Sequence, residues 1–134
     1  MHVQYVSLCD QIILGNDGRP SLIGIFNHLT VPALPFTLPR LAFAGRILFT
    51  ADETGRSHHV DVIITDPAGT ELARPGGDIT LPPAAAGVES VAVDLPMQFD
   101  LFQVEAAGRY TFLLQVNGES AAAVQLMVHL AEPG

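Results

Sequence analysis

Apolar and polar residues alternate with a period near two along most of this chain, in short runs broken by Gly, Pro, Asp and Asn. A strand turns successive side chains to opposite faces, so this period marks antiparallel strands with one buried face. No window of useful length carries a 3.6-residue period with a cap at each end, and helix is expected to be minor at most.

Two hairpins stand out. Leu41, Phe43, Ile47 and Phe49 fall on odd positions, and Val60, Val62 and Ile64 on even ones, around the turn Asp52-Glu53-Thr54-Gly55. Pairing Ala51 with Arg56 across that turn sets Phe49 opposite His58, Ile47 opposite Val60 and Phe43 opposite Ile64. Both apolar sets then share a face, which a one-residue slip would destroy. The second hairpin joins Tyr110, Phe112, Leu114 and Val116 to Val124, Leu126, Val128 and Leu130 through Asn117-Gly118. A two-residue type I′ turn is the habit of Asn-Gly, but here it would oppose the apolar faces. The faces agree if the loop has three residues, with Gly118 left-handed in a bulge. Phe43, Ile47, Val60, Val62, Phe112, Leu114, Val124 and Leu126 are the expected core.

The remaining segments carry a less regular pattern. Residues 3–14 form one interrupted strand, and 21–31 return after Gly15-Asn16-Asp17-Gly18. Pro32, Pro35 and Pro39 mark an extended crossover too proline-rich for a central strand. Asp66-Pro67-Ala68-Gly69 suits a type I turn. Pro75 to Gly87 reads as a loop with a short strand around Ile79. Val91, Val93, Leu95, Met97, Phe99 and Leu101 share one parity across Pro96, the mark of an edge or bent strand. No repeat or linker divides residues 1–134, so one domain is expected: an all-β, antiparallel, immunoglobulin-like sandwich of about seven to eight strands. Gly108-Arg109-Tyr110 opens the penultimate strand in the manner of a tyrosine corner, although Ala106 stands where such corners often carry Asp, and an ordinary core Tyr explains the residue equally well.

Tyr5-Val6-Ser7-Leu8-Cys9-Asp10, Asn16-Asp17-Gly18 and Ser21-Leu22-Ile23-Gly24-Ile25-Phe26 resemble a family of small bacterial proteins known only as a domain of unknown function. Val31-Pro32-Ala33-Leu34-Pro35 and Gly108-Arg109-Tyr110-Thr111-Phe112 extend the resemblance over most of the chain. The motifs consist of turn and core residues. The resemblance therefore implies a β-sandwich and a bacterial source, and brings no catalytic residue with it.

Composition narrows the function. With 49% hydrophobic and 15% charged residues, the 134-residue chain can bury a core. Six Arg, no Lys and fourteen acids give a net charge of -8. Such a surface repels phosphate backbones, so neither nucleic acid nor an anionic membrane is the expected partner. The lone Cys9 forms no intrachain disulfide, the N-terminus lacks a signal-peptide pattern, and no apolar run spans a bilayer. A cytoplasmic location is expected.

Candidate chemistry is sparse. His58 and His59 are strand neighbours and point to opposite faces, so they do not chelate one ion. His2, His28 and His129 are scattered without ligand spacing. Cys9 has Asp10 beside it, which disfavours a thiolate. Asp52-Glu53, Asp94, Asp100 and Glu105 are too dispersed to indicate the six to eight oxygens of a calcium site. There is no Trp to stack on sugars; Phe36 and Phe102 are the candidate exposed aromatics, and hydrophobic anchoring explains them equally well. No catalytic residue, cofactor or metal is expected, and an enzyme is not.

The leading expectation is a non-enzymatic module that acts through a homodimer or a protein partner. The alternative is a domain binding a small ligand, carbohydrate or calcium. If strands 41–51, 57–65, 109–116 and 120–130 form one sheet, its outer face carries Ala42, Ala44, Leu48, Ile63, Leu113, Ala121, Ala123 and Met127. Arg46, Arg109 and Asp61 would share that face, and so many small and apolar residues on an outer face call for a cover.

Overall fold

The computed structural model describes residues 1–132. Its described residues form ten strands and one short 3-10 turn at Ala51–Glu53, which makes the chain all-β. The strands are β1 (His2–Leu14), β2 (Pro20–Ile25), β3 (His28–Val31), β4 (Phe36–Thr50), β5 (Ser57–Thr65), β6 (Glu71–Ala73), β7 (Gly76–Thr80), β8 (Ser90–Val104), β9 (Gly108–Val116) and β10 (Glu119–Leu130). One sheet has the order β2-β1-β4-β8 and the other β3-β10-β9-β5-β6, with β7 also paired to β5. All pairs are antiparallel except β3 with β10.

The count exceeds the expected seven to eight for local reasons. Residues 21–31 divide at Phe26-Asn27, where the chain leaves one sheet for the other. The Phe26 N–H bonds to the Leu8 carbonyl, while the Asn27 carbonyl accepts from Met127 of the opposite sheet. The short β6 escapes a periodicity argument because all three of its residues are exposed.

The expected hairpin of residues 41–65 does not exist. β4 pairs with β1 and β8, whereas β5 pairs with β9, β6 and β7. The two strands belong to opposite sheets and bury their apolar faces against a common core. Phe49 does meet His58, with ring centroids 4.6 Å apart, but across the sandwich. Alternation shows which side chains turn inward; two strands sharing an inward face satisfy it either as neighbours or as opposite walls. The proposed single sheet of 41–51, 57–65, 109–116 and 120–130 fails with the hairpin.

The last hairpin keeps its faces by another route. Val116 pairs with Glu119, so Asn117 and Gly118 form a two-residue turn with φ of +53° and +82°. The expected three-residue loop is corrected, while Gly118 is left-handed as anticipated. The extra residue is Ala121, because the register shifts between Ser120 and Ala122. Beyond that bulge Phe112 pairs with Val124 and Tyr110 with Leu126, even with even.

Seven of the eight expected core residues are buried, and Val124 is half-buried against the same cluster. Phe112 lies at its centre, with Phe43, Phe99 and Phe102 at centroid distances of 6.4, 6.2 and 5.9 Å.

The Pro-rich segment also departs from expectation, since Pro39 lies within β4, a central strand. The partners of β1 on β4 end at Cys9 with Ala42, so at Pro39 the strand has β8 alone beside it. A missing N–H costs little there. β8 is an edge strand of its sheet, one of the two readings, edge or bent, that the Pro96 pattern allowed.

Candidate functional site

The parity of β8 breaks at Leu101, and this break lies beside a cleft at the edge of the sandwich. Phe99 points inward, as do Phe102 and Val104, which have the opposite parity and lie one and three places past Leu101. On β4 the inward set changes likewise, from Phe36 and Leu38 to Leu41 and Phe43. The exchange falls where Leu101 stands across from Pro39, between the pairs Leu38 with Phe102 and Arg40 with Asp100. Leu101 adopts φ of +56° and is 67% exposed. A left-handed leucine costs about 1–2 kcal/mol, and such strain concentrates where chains hold functional geometry.

Beside this kink the edge strands β8 and β6 part, leaving a half-open cleft of about 560 Å³. Phe99, Phe102 and Tyr110 contribute aromatic surface, and Leu72 and Leu101 add aliphatic surface. Its charged lining residues are Asp66, Asp100 and Glu105, all acidic. Phe102 meets Tyr110 edge-on at 6.2 Å. The Tyr110 hydroxyl donates to the Ala106 carbonyl at 2.8 Å, so the tyrosine corner forms without an Asp. Asp66 sits in the anticipated turn: its carbonyl accepts from Gly69 N–H, and its carboxylate from the Ala68 and Thr70 N–H groups. Phe36 and Phe102 are half-buried against the core, which fits hydrophobic anchoring and not exposed platforms.

The expected interface residues divide between the sheets. Ala42, Ala44 and Leu48 belong to β4, the first two buried and the third half-buried. Ile63, Leu113 and Ala123 are consecutive partners across β5, β9 and β10, so the structure does bring these three into one row. Ile63 is nonetheless 8% exposed, Leu113 half-buried and Ala123 exposed. Ala121 and Met127 lie further along β10, both half-buried. Arg46 is in the other sheet, 3.4 Å from Asp94, and so does not share a face with Arg109 and Asp61.

His58 and His59 take opposite sides as expected. His58 is buried, its Nε2 2.7 Å from the Glu53 carbonyl and its Nδ1 3.0 Å from Asn117. His59 is exposed, with Nδ1 2.8 Å from Asp78 and Nε2 3.0 Å from Asp61. The Asp78 hydrogen bond, then the Asp61 charge, raises its pKa above the usual 6.5. Cys9 is buried, and burial pushes its thiol pKa up. Among the described residues, no group of three or more His, Cys, Asp or Glu is arranged to hold a metal ion. His28 and His129 are scattered in the sequence, yet Nδ1 of His28 lies 3.1 Å from Nε2 of His129. Only the parallel pairing of β3 with β10 reveals that proximity.

Two packed sheets with a cleft at one open edge define an all-β domain of the two-sheet class. Within that class the chain belongs to the family of unknown function DUF6941, whose model matches residues 4–129. No curated protein matches the chain. Among solved structures it is similar to the Pseudomonas fluorescens alkylpurine DNA glycosylase AlkC bound to DNA containing an abasic site analog. The identity is 11% and the TM-score 0.48, over 92% of this chain and 30% of that one. The chain thus spans less than a third of that enzyme, and the likeness transfers no residue role. That neighbour is bound to DNA, where the expectations were a module acting through a homodimer or protein partner and no nucleic acid. Neither is retained, and the strand order separately removes the shared face on which the homodimer rested. No helix among the described residues is long and apolar enough to cross a membrane.

Proposed function

We propose that this is a non-catalytic domain that binds a small apolar ligand carrying a positive charge, in the cleft between β6 and β8. The observation that carries the reading is Leu101, strained and exposed on the lip of a cleft with aromatic residues in its lining. Its volume lies within the roughly 300–1,000 Å³ usual for ligand pockets. Phe99 and Phe102 offer apolar area and the negative ring faces that attract an ammonium group. Asp66, Asp100 and Glu105 add charge of one sign, on a chain whose net charge of -8 already favours cations. A carboxylate ligand would meet repulsion in the same place.

The test is a set of NMR titrations with octylammonium, octanol and octanoate at equal concentration. Octylammonium is expected to shift the amide resonances of Leu101, Phe102 and Ala106 most, octanol less and octanoate least. Replacing both Asp100→Asn and Glu105→Gln should weaken octylammonium several-fold. The reading fails if none of the three probes moves these resonances, or if octanoate moves them as strongly as octylammonium.

A further inference from the structure

A second site lies away from the cleft, where β3 joins β10. We infer that His28 and His129 form a two-imidazole site for a divalent transition cation of the zinc, nickel or copper class.

The pairing of the strands creates it. Met127 is the partner of His28, and His129 that of Thr30, so His28 and His129 sit diagonally on one face, 101 positions apart in sequence. Leu29, Val31 and Val128 take the other face and pack into the core, which fixes the backbone beneath both imidazoles. Both histidines are exposed, their rings 4° from parallel with centroids 5.4 Å apart. Nδ1 of His28 and Nε2 of His129 approach to 3.1 Å. The two rings lie end to end with their facing nitrogens aimed at each other, so each exposed ring must swing outward by roughly 40° to direct its lone pair at a cation about 2.0–2.1 Å away; at the present separation the angle at that cation is roughly 100°, close to that of adjacent tetrahedral or octahedral ligands.

The chemistry balances without an external reagent. In the metal-free pair one imidazole N–H donates to the lone pair of the other. On binding, the donor ring moves that proton to its outer nitrogen, so both facing nitrogens present lone pairs and neither ring changes charge. Water completes the coordination, and imidazole selects zinc, nickel or copper over magnesium or calcium. The other neighbouring histidine pair does not compete, because the ring nitrogens of His58 and His59 already have partners. A bound cation would clamp the four-residue β3 to β10, and a ligand that binds only the folded state raises stability.

The experiment is thermal melting and calorimetric titration of the full chain with zinc chloride and nickel chloride, with magnesium chloride as control. Imidazole nitrogen shifts are followed by NMR. Zinc is expected to raise the melting temperature where magnesium does not, and to move the His28 and His129 ring signals first. His28→Gln and His129→Gln should each weaken zinc binding by roughly tenfold or more. The inference is overturned if zinc leaves the wild-type His28 and His129 signals unmoved, a readout that needs no variant to fold. It is equally overturned if both variants bind zinc as tightly as wild type.

Discussion

The Tyr110 hydroxyl donates to the Ala106 carbonyl at 2.8 Å and accepts from the Ala106 N–H at 3.3 Å. Two polar backbone groups are thereby satisfied by one buried side chain, at the point where the chain passes from β8 in one sheet to β9 in the other. Tyr110→Phe keeps the ring and removes both bonds. It is expected to cost about 1–2 kcal/mol in denaturant melts, the scale of hydrogen bonds whose partners are left unsatisfied. A loss under about 0.3 kcal/mol, far below that scale, would mean that the hydroxyl does not hold the corner.

Two glycines should separate backbone strain from steric conflict. Gly118 has φ of +82° and open space around a hypothetical Cβ, so Gly118→Ala is expected to cost about 1 kcal/mol. Gly108 has φ of +127°, and its Cβ would stand 2.9 Å from the Pro67 Cβ. Gly108→Ala therefore combines strain with a clash and should cost about 2–3 kcal/mol. Urea melts of the two variants side by side check the order; Gly118→Ala as the worse of the pair would refute it.

Leu101→Gly reverses the usual sign of a leucine truncation. The positive φ of Leu101 costs about 1–2 kcal/mol, and glycine forfeits about 0.5–1 kcal/mol in unfolded-state entropy. With the side chain 67% exposed, little packing is lost. Stability should hold or rise by up to about 1 kcal/mol, while octylammonium binding in the cleft weakens. Chemical denaturation paired with the NMR titration reads both effects, and a variant less stable than wild type that binds undiminished would contradict the account.

His59 supplies a pH dependence of known sign. Its folded pKa is raised, first by the Asp78 hydrogen bond and then by the Asp61 charge. The unfolded chain therefore loses its proton at lower pH than the folded one. The stabilisation is complete below about 6.5 and is lost as pH rises through the folded value. Asp78→Asn should lower the His59 pKa in an NMR titration, and a variant titrating with the wild-type midpoint would exclude Asp78 as the main cause.

What the sequence determined by itself is the set of inward faces and several local turns. Period-two alternation placed Phe43, Ile47, Val60, Val62, Phe112, Leu114 and Leu126 in the core, because a strand that buries one face must carry apolar residues at every second position. The turn at Asp66, the left-handed Gly118 and the corner at Tyr110 were legible for the same reason: each is decided by residues within a few positions. Tertiary structure alone decided which strands are neighbours. β4 and β5 satisfy one alternation pattern from opposite sheets, and an apolar face carries no label for the strand beside it. The bulge at Ala121 moved away from the turn that suggested it, since shared register along β9 and β10 constrains parity but not where the extra residue falls. The cleft required β6 and β8, edge strands of different sheets, to diverge beside a kink at Leu101. His28 and His129 came together through a parallel pair closed across nearly the whole chain. Contacts at such separation depend on the packing of the entire core, and no local pattern of residues encodes them.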